Sequence, residues 1–588
     1  MARNTFRQDE NLDEPFNIKH LLRASVYIRK YAKQMVIALV LSGLGGAFGY
    51  LAPMIIRRAL DVAVPQADYR LLFLLVGTLI CVYAVSVLFN TIRSRLMVNA
   101  SQNIIYDIRK DLFHHLQELS FQYYDDRPHG KILIRVVNYV NSVSDMLSNG
   151  LINIVLEGFN LLFIIVFMFL VDVELALIVM CGVPILAVFM LWIKNKQRKA
   201  WQMVSNKNSN LNAYLQENIV GARITQIFAR EEENARTFAR LSDDCRRTWL
   251  TAVNYSNLVW PGIDAISVFV RAAIFLFGLV IFGQGEKSLG TIVAISSYAS
   301  FFWQPIMNLG NIFNNFINNI AYLERIFETI DEPVTISDRE GATDIGEVTG
   351  RVEFSHVKFS YDDETEVLKD LSFTVEPGQS IALVGPTGAG KSTIVNLLSR
   401  FYDIQEGTIK IDGKDISDVT LRSLRSHMGI MMQDSVIFSG TIEDNIRYGK
   451  LNASSKEVRE AGVRVCADPF IRQMKDGYRT VVRERGSSLS EGQKQLISFA
   501  RTLLSDPSIL ILDEATSSID VQTERALQQG LNEMLKGRTS FIIAHRLSTI
   551  RNCDRIMYID HGGIMESGTH DELMAKKGYY YKLYTAQM

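Results

Sequence analysis

The 588-residue sequence predicts a chain of two parts, an α-helical transmembrane bundle followed by a C-terminal α/β domain. Three observations support this fold class. Long apolar runs are confined to about the first 330 residues, strand patterns alternate with helical patterns after them, and a glycine-rich turn at 385–393 joins an apolar strand to a helix. The length alone also exceeds that of one typical domain.

Six apolar segments are long enough to cross a membrane, whose hydrocarbon core of about 30 Å requires about 20 helical residues. They lie at 36–56, 71–91, 150–171, 175–193, 263–283 and 289–309. The connections after the second and fourth spans are polar but keep helical apolar spacing, as at Ile104, Ile108, Leu112 and Leu116. We therefore expect helices that continue beyond the membrane as long cytoplasmic extensions.

Lysine and arginine residues crowd these two long connections, whereas the short connections at 62–70, 172–174 and 284–288 carry few cations. By the positive-inside rule the long connections are cytoplasmic and the short ones external. Six spans then return the C-terminal domain to the cytoplasm. The predicted location is the inner (cytoplasmic) membrane, with a multi-pass topology.

The expected domain boundaries follow from these patterns and from a polar linker after Pro333. Residues 1–34 are a cytoplasmic segment in which Asn17–Gln34 forms an amphipathic helix at the membrane surface. Residues 35–330 are the transmembrane domain, 331–349 the linker and 350–588 the α/β domain.

Composition excludes two classes of protein. A net charge of −1 does not provide the excess positive charge that attracts nucleic acid. The five cysteines are scattered without CxxC spacing, which indicates neither a disulfide framework nor a zinc site.

The motif with the clearest chemistry is a P-loop pattern that follows the strand Ser380–Val384. Its backbone amides would wrap phosphates, Lys391 would reach the β- and γ-phosphates, and the Ser392 hydroxyl would bind Mg²⁺. ATP and Mg²⁺ are therefore the expected ligands. The loop consists of Gly385, Pro386, Thr387, Gly388, Ala389, Gly390, Lys391, Ser392 and Thr393.

A second apolar strand, Ile509–Leu512, ends in two carboxylates about 120 residues after the P-loop. In a P-loop fold Asp513 can hold Mg²⁺ through water. Glu514 is then placed to polarise an attacking water as a general base.

Between these motifs, Leu489-Ser490-Glu491-Gly492-Gln493 resembles the signature sequence of the ABC transporter superfamily, and the resemblance extends over essentially the whole chain. It resembles an exporter-type half-transporter, and in particular the consensus-site subunit of heterodimeric bacterial multidrug exporters. The resemblance implies that Tyr361 stacks on adenine and that Gln433 senses Mg²⁺ and the membrane domain. It also implies that Asp520 lies in the loop after Glu514, and that His545 lies near the γ-phosphate.

The same resemblance implies that two chains pack head to tail, so that Ser490, Gly492 and Gln493 of one chain close over ATP in the P-loop of the other. The chain departs from the family pattern at Glu491, where glycine is usual, and a carboxylate near a triphosphate is repelled. We therefore expect a heterodimer with unequal ATP sites. The alternative is a homodimer in which Glu491 points to solvent.

Two segments resemble coupling helices that press on the ATP-binding domains near Gln433, namely Phe121–Arg135 and Tyr214–Arg223. Both can equally be read as turns of helical hairpins. Within the spans, Glu157, Asp264 and Arg271 either contact cargo or lock helices together, and a Glu157–Arg271 bridge is one structural option. The aromatic run Phe301–Trp303 either lines a cavity or packs between helices.

The predicted function is ATP-driven export of amphipathic drugs, lipids or peptides by alternating access, as one half of a dimeric exporter. The partners would be a second half-transporter, membrane lipid and the cargo. A homodimeric lipid or drug flippase and a ligand-gated membrane protein that does not pump remain alternatives. The six spans argue against a soluble ATPase of the DNA-repair type, and the fusion of both domains on one chain argues against an importer.

Overall fold

The computed structural model describes residues 18–146, 150–281, 287–361, 365–432, 435–483, 486–514, 521–544 and 550–587. The chain forms two compact units. The helical unit comprises Asn4–Gln117 and His129–Asp331, and the α/β unit comprises Glu332–Met588 together with Glu118–Pro128.

The helical unit is built from long helices with short connections, and its described residues include single-turn π-helical segments at Ala59–Ala63, Arg135–Tyr139 and Phe277–Ile281. Its helices are α1 (Ile18–Lys30), α2 (Ala32–Tyr50), α3 (Ala52–Arg58), α4 (Tyr69–Glu118), α6 (His129–Ile134), α7 (Val140–Asp145), α8 (Leu151–Val171), α9 (Val173–Val220), α10 (Ala222–Ile227), α11 (Glu231–Asn257), α12 (Val259–Leu276) and α13 (Leu289–Asp331); α5 (Phe121–Asp126) belongs to the α/β unit.

Five segments among the described residues are long and apolar enough to cross a membrane, Ala32–Ala63, Tyr69–Glu118, Asn153–Val171, Val173–Val220 and Glu231–Val280. Each contains most or all of one predicted span. The sixth predicted span, 289–309, lies in the continuous helix α13 but falls outside this group. The mean hydropathy of this span is lower than that of the other five because one face of the helix is polar.

The predicted extension of the helices beyond the membrane is confirmed. Helix α4 runs for 50 residues and α9 for 48, each more than twice the length that one span requires. The 27-residue helix α11 returns along α9. Asp172 caps the start of α9 by accepting a hydrogen bond from the Leu175 amide at 3.0 Å.

Helix α1 lies where the sequence predicts an amphipathic helix. Arg23 forms an ion pair with Asp331 and Lys30 forms one with Asp107 at 2.7 Å, so its polar side is attached to α13 and α4. Leu22 and Val26 are exposed on the same helix. Its position at a membrane surface remains a prediction.

The α/β unit contains a six-stranded sheet in the order β12-β11-β3-β10-β9-β6, in which only β12 is antiparallel to its neighbour. A second, antiparallel sheet has the order β2-β1-β4-β5, and β7 pairs with β8. The strands are β1 (Val352–Ser360), β2 (Glu366–Val375), β3 (Ser380–Val384), β4 (Glu406–Ile411), β5 (Lys414–Asp415), β6 (Met428–Met431), β7 (Gly440–Thr441), β8 (Val481–Val482), β9 (Ile509–Glu514), β10 (Thr539–Ala544), β11 (Arg555–Asp560) and β12 (Gly563–Gly568).

Helices cover the larger sheet, whose strands are almost continuously apolar because both faces are buried. One core lies between the two sheets and α14, and the other lies between the large sheet and the helices around α19. The helices are α14 (Lys391–Leu398), α15 (Leu421–Ser426), α16 (Ile442–Arg447), α17 (Ser455–Arg464), α18 (Asp468–Gln473), α19 (Glu491–Leu504), α20 (Val521–Leu535), α21 (His570–Lys576) and α22 (Tyr579–Gln587).

Candidate functional site

The predicted P-loop connects β3 to α14, which confirms the strand–loop–helix context. Residues Pro386, Thr387 and Gly388 are exposed at the tip, whereas Ala389 and Gly390 are buried at the base. Gly390 precedes α14 with φ +99°, in the left-handed region. The exposed backbone therefore stands in front of a helix N-terminus, where amide donors and the helix dipole favour an anion.

Gly385 shows how closely this loop approaches its neighbours. Its φ is +144°, and a Cβ atom built there would lie 2.0 Å from the carbonyl oxygen of Ile559 in β11. Gly388 also has a positive φ, of +85°, but a Cβ there would meet nothing within 4 Å. Glycine is thus required at 385 for packing and for backbone conformation, and at 388 for conformation alone.

Lys391 is folded back onto its own loop. Its Nζ donates to the carbonyl oxygens of Gly385 at 2.9 Å and Pro386 at 2.7 Å, and only 9% of the residue is exposed. Burial lowers the pKa of Lys391, and the negative charge of Asp513 opposes that change. The ammonium group is therefore held at the mouth of the loop by neutral acceptors, which a phosphate can replace.

The residues after Lys391 serve different purposes. The Ser392 side chain is exposed, as a magnesium ligand needs to be. Thr393 is buried, and its Oγ1 accepts a hydrogen bond from the hydroxyl of Tyr361 at 3.1 Å. The ring proposed to stack on adenine is thus attached to the first turn of the phosphate-binding helix.

The two sequence-predicted carboxylates stand at the end of β9, in register with β10. Asp513 pairs with Ile543, and the backbone of Glu514 pairs with Ala544, the residue before His545. The carboxyl ends of parallel strands meet at one edge of a sheet, so Asp513 and the P-loop share that edge. The side chain of Glu514 and the residues Gln433, Asp520 and His545 lie outside the part of the chain that the structure describes.

The signature residues lie at the start of α19, on a different group of elements from the P-loop. Ser490 is the N-cap: its hydroxyl accepts from the Gln493 amide at 3.3 Å, and its amide donates to the Gln493 side chain at 3.0 Å. Gly492 is buried. Helix α19 packs against α16, α17 and α20, whereas α14 packs against β10.

Glu491 is the first residue of α19, and its side chain is 55% exposed. Its carboxylate pairs with Lys494 at 3.2 Å. A carboxylate in the first turn interacts favourably with the helix dipole. Its negative charge also lowers the positive potential at this helix end, which would otherwise attract an anion. Lys494 partly compensates that charge.

Tyr402 is a residue of the site that the sequence did not single out. Its ring packs edge-on against Tyr361, with centroids 5.0 Å apart, and its hydroxyl donates to Asp125 at 2.6 Å. Burial first, and then Asp125, raise the pKa of Tyr402 above its usual range, so the hydroxyl remains a donor. The predicted adenine platform is therefore joined to α5, which lies in one of the two segments predicted to couple the domains.

Further contacts hold the segment 118–128 in place. Phe121 packs on Phe401 with centroids 4.3 Å apart, and Arg127 pairs with Glu332 at 3.0 Å. An open cavity of ≈ 300 Å³ lies beside Tyr361 and Tyr402. The adjacent aromatic residues Phe401 and Tyr402, shortly after the P-loop helix, were the available sequence signal for this contact.

Arg501 is a second residue that the sequence did not reveal. It projects from α19 and donates to the carbonyl oxygens of Asn445 at 2.8 Å and Val436 at 3.0 Å. Its guanidinium also lies over the rings of Phe438 and Tyr448. Arg501 thus connects the signature helix to the chain just after Gln433.

The described residues at the P-loop edge of the sheet offer oxygen atoms of the kind that Mg²⁺ prefers. No group of three or more His, Cys, Asp or Glu suited to a metal occurs among them. Mg²⁺ commonly takes one or two protein ligands and completes its shell with phosphates and water. Ser392 and Asp513, predicted as magnesium ligands, would supply such oxygens from the same edge of the sheet.

Comparisons with known proteins agree with both units. The family described as "ABC transporter transmembrane region" matches residues 35–306, and that described as "ABC transporter" matches residues 368–517. The chain is 41% identical to "Uncharacterized ABC transporter ATP-binding protein YknV" of Bacillus subtilis (strain 168), over 100% of this chain and 98% of that protein.

Two further similarities bear on function. The chain is 38% identical to "Probable multidrug resistance ABC transporter ATP-binding/permease protein YheH" of the same organism, over 87% of this chain and 76% of that protein. Among solved structures, "Structure of a bacterial Atm1-family ABC exporter with ATP bound" matches with a TM-score of 0.75 and 29% identity, over 94% of this chain and 98% of that one.

Proposed function

This chain belongs to the ABC transporter family as an exporter-type half-transporter, and from that premise we propose that it exports amphipathic compounds by alternating access. Its ATP-binding domain makes it an ATPase coupled to transport, in a multi-pass membrane protein. The cargo class is drugs, lipids or peptides. Ser392, Asp513 and Gln433 would hold Mg²⁺, which would supply charge stabilisation for phosphoryl transfer.

The observation that carries this proposal is the contact between the adenine platform and α5. Tyr361, Tyr402 and Asp125 form a continuous path from the nucleotide side to a segment that continues into α4 and α6. Adenine stacking on Tyr361 would fix the Tyr402 ring and, through its hydroxyl, the position of α5. A pump needs such a path, because binding energy must act on the membrane helices.

We also propose that a second half-transporter completes each ATP site. Ser490 is exposed at the N-terminus of α19, which is an anion-favouring position away from the P-loop's own contacts. On the second cytoplasmic extension, Ile224, Ile227 and Phe228 are 62–76% exposed. An apolar patch outside the membrane is seldom left exposed to water. We propose that the ATP-binding domain of the partner chain covers it.

A heterodimer with unequal ATP sites is our preferred assembly, since Glu491 places negative charge at the end of α19 that would face a partner's triphosphate. The pairing of Glu491 with Lys494 favours the second candidate, a homodimeric exporter or flippase, because it reduces that charge. Expressing the chain alone tests the choice. A stable homodimer that hydrolyses ATP would exclude an obligatory heterodimer.

Replacing Glu491 by glycine should raise the rate of ATP hydrolysis by roughly 2- to 5-fold, the equivalent of about 0.5–1 kcal/mol at a helix N-terminus. Lys494→Gln should lower that rate, because it leaves the carboxylate uncompensated. Steady-state ATPase assays on the assembled dimer measure both. Unchanged rates in both variants would mean that Glu491 faces solvent away from the nucleotide.

Replacing Tyr402 by phenylalanine should reduce the amount of cargo moved per ATP hydrolysed by roughly 3- to 10-fold, because the hydrogen bond to a carboxylate is lost while the ring contact remains. Transport and ATPase rates measured on the same vesicles give this ratio. Asp125→Asn should act in the same direction, whereas the control Asp126→Asn on the same short helix should not. Equal ratios in all three variants would contradict the proposed path.

The proposed export itself is tested by uptake of a fluorescent amphipath into inverted vesicles. We expect accumulation that depends on ATP and on the full-length chain with its partner. Passive equilibration that ATP accelerates, without accumulation, would instead favour a gated membrane protein that does not pump.

A further inference from the structure

Glu157 lies inside the third predicted span and is held by two side-chain amides. Its Oε1 accepts from Nδ2 of Asn308 in α13 at 2.6 Å, and its Oε2 accepts from Nδ2 of Asn160 in α8 at 3.2 Å. The predicted alternative of a Glu157–Arg271 bridge is not found among the described contacts.

Glu157 has no cationic partner within ion-pair distance in the described part of the chain. The ammonium of Lys194 approaches α13 at Gly310, about 200° around the helix from Asn308. Arg271 lies on α12, and no ion pair of Arg271 with Glu157 occurs among the described contacts. Lys194 is thus on another side of α13, and within the described residues the hydrogen bonds that Glu157 accepts come from amides.

A polar stripe on α13, formed by Ser300, Gln304 and Asn308, continues from Glu157. The three residues repeat every four positions and so share one helix face. Ser300 and Gln304 are exposed, and Gln304 donates to Asn308 at 3.0 Å. Such a face is costly against lipid, so it borders a water-filled cavity or the partner chain.

Two aromatic rings border the same place. Phe301 is 43% exposed, unlike its neighbours Phe302 and Trp303, which are buried in the helix core. Its ring meets that of Tyr50 edge-on, with centroids 6.1 Å apart. A Cβ atom built on Gly46 would lie 3.2 Å from Oδ1 of Asn160 and 3.9 Å from the ring of Tyr50, so Asn160, which donates to Glu157, lies close to this pair.

We propose that Glu157, Phe301 and Tyr50 form a binding site for an organic cation with an apolar body, such as a quaternary ammonium or phosphonium compound. The carboxylate supplies the counter-charge, the rings supply cation–π and apolar contacts, and the amides of Asn160 and Asn308 hold the Glu157 side chain in position. This inference rests on the proposed export function and names a cargo class for it.

The depth of the site agrees with entry from the cytoplasmic side. Glu157 is six residues into α8, about 9 Å from the Leu151 end that the positive-inside rule places toward the cytoplasm. A lipophilic cation that gathers at the inner leaflet would reach this depth with its charged group near the interface.

The test compares two ions of the same shape and opposite charge, tetraphenylphosphonium and tetraphenylborate. Their binding to the full-length dimer in lipid nanodiscs is measured by equilibrium dialysis, with empty nanodiscs subtracted. Wild-type protein should bind the phosphonium at least 10-fold more tightly than the borate. Glu157→Gln, which keeps the side-chain shape, should remove that preference.

Asp264→Asn is the matched control, because it also neutralises a carboxylate in a span, and it should leave the preference intact. Phe301→Leu should weaken phosphonium binding severalfold without reversing the preference. A preference that survives Glu157→Gln, or that is lost in Asp264→Asn instead, would overturn the proposal. Absence of any preference in the wild type would do so as well.

The failure of this inference can be separated from that of the export function. ATP-driven accumulation of a neutral amphipath without a preference for the phosphonium would leave the export function intact and exclude the cation site. A preference for the phosphonium without ATP-driven accumulation of any probe would keep the site and exclude export.

Discussion

Replacing Lys391 by methionine is expected to lower the rate of ATP hydrolysis by roughly 10²- to 10³-fold, the loss typical of removing one preorganised donor to a developing charge. The Lys391 ammonium is already positioned by the carbonyl oxygens of Gly385 and Pro386 at the mouth of the loop. A phosphate oxygen can replace these carbonyl oxygens as the acceptor with little movement of the Lys391 side chain. Steady-state phosphate release measures the effect.

The control for this experiment is Lys456→Met, which removes a lysine with an 86% exposed side chain from the same unit. It should leave the hydrolysis rate and the melting temperature unchanged. If Lys391→Met retained more than about a tenth of the wild-type rate, the assignment of this loop as the phosphate site would be wrong.

Replacing Gly385 by alanine is expected to destabilise the α/β unit by roughly 2–5 kcal/mol, the sum of backbone strain and overpacking. The added methyl group would lie 2.0 Å from the carbonyl oxygen of Ile559, and both partners are backbone, so neither can rotate away. For a unit of this size the melting temperature should fall by roughly 5–15 °C. Differential scanning of the full-length protein records it.

Gly388→Ala is the matched control, because it has a positive φ of +85° but open space around the added atom. Its cost should be about 1–2 kcal/mol, from backbone strain alone. Equal melting temperatures for the two variants would contradict the packing role assigned to Gly385.

The membrane helices could be predicted from local patterns. The thickness of the hydrocarbon core sets the length of each apolar run, and the 3.6-residue helical period sets the spacing of apolar residues within it. The extensions of α4 and α9 follow from the same periodicity. The P-loop context was also local, since the strand, the glycines and the helix adjoin one another. The weakest case was α13, whose polar face lowers its apolar character.

Contacts between distant residues could not be predicted in the same way. Tyr402 and Asp125 are 277 residues apart, and Asn308 and Glu157 are 151 apart. Nothing in a local window encodes such a pair, because the fold alone brings the two elements together. For the same reason Arg501 appeared in the sequence as an ordinary helix cation, although it attaches the signature helix to Val436.

Comparing wild type with Glu514→Gln in inverted vesicles shows whether ATP hydrolysis in this chain drives accumulation of cargo. The wild type should concentrate a fluorescent amphipath with ATP but not with a non-hydrolysable analogue. The variant should bind ATP and yet accumulate nothing, since Glu514 is the proposed general base. Accumulation that persists in the variant, or that the analogue supports equally, would contradict export driven by ATP hydrolysis.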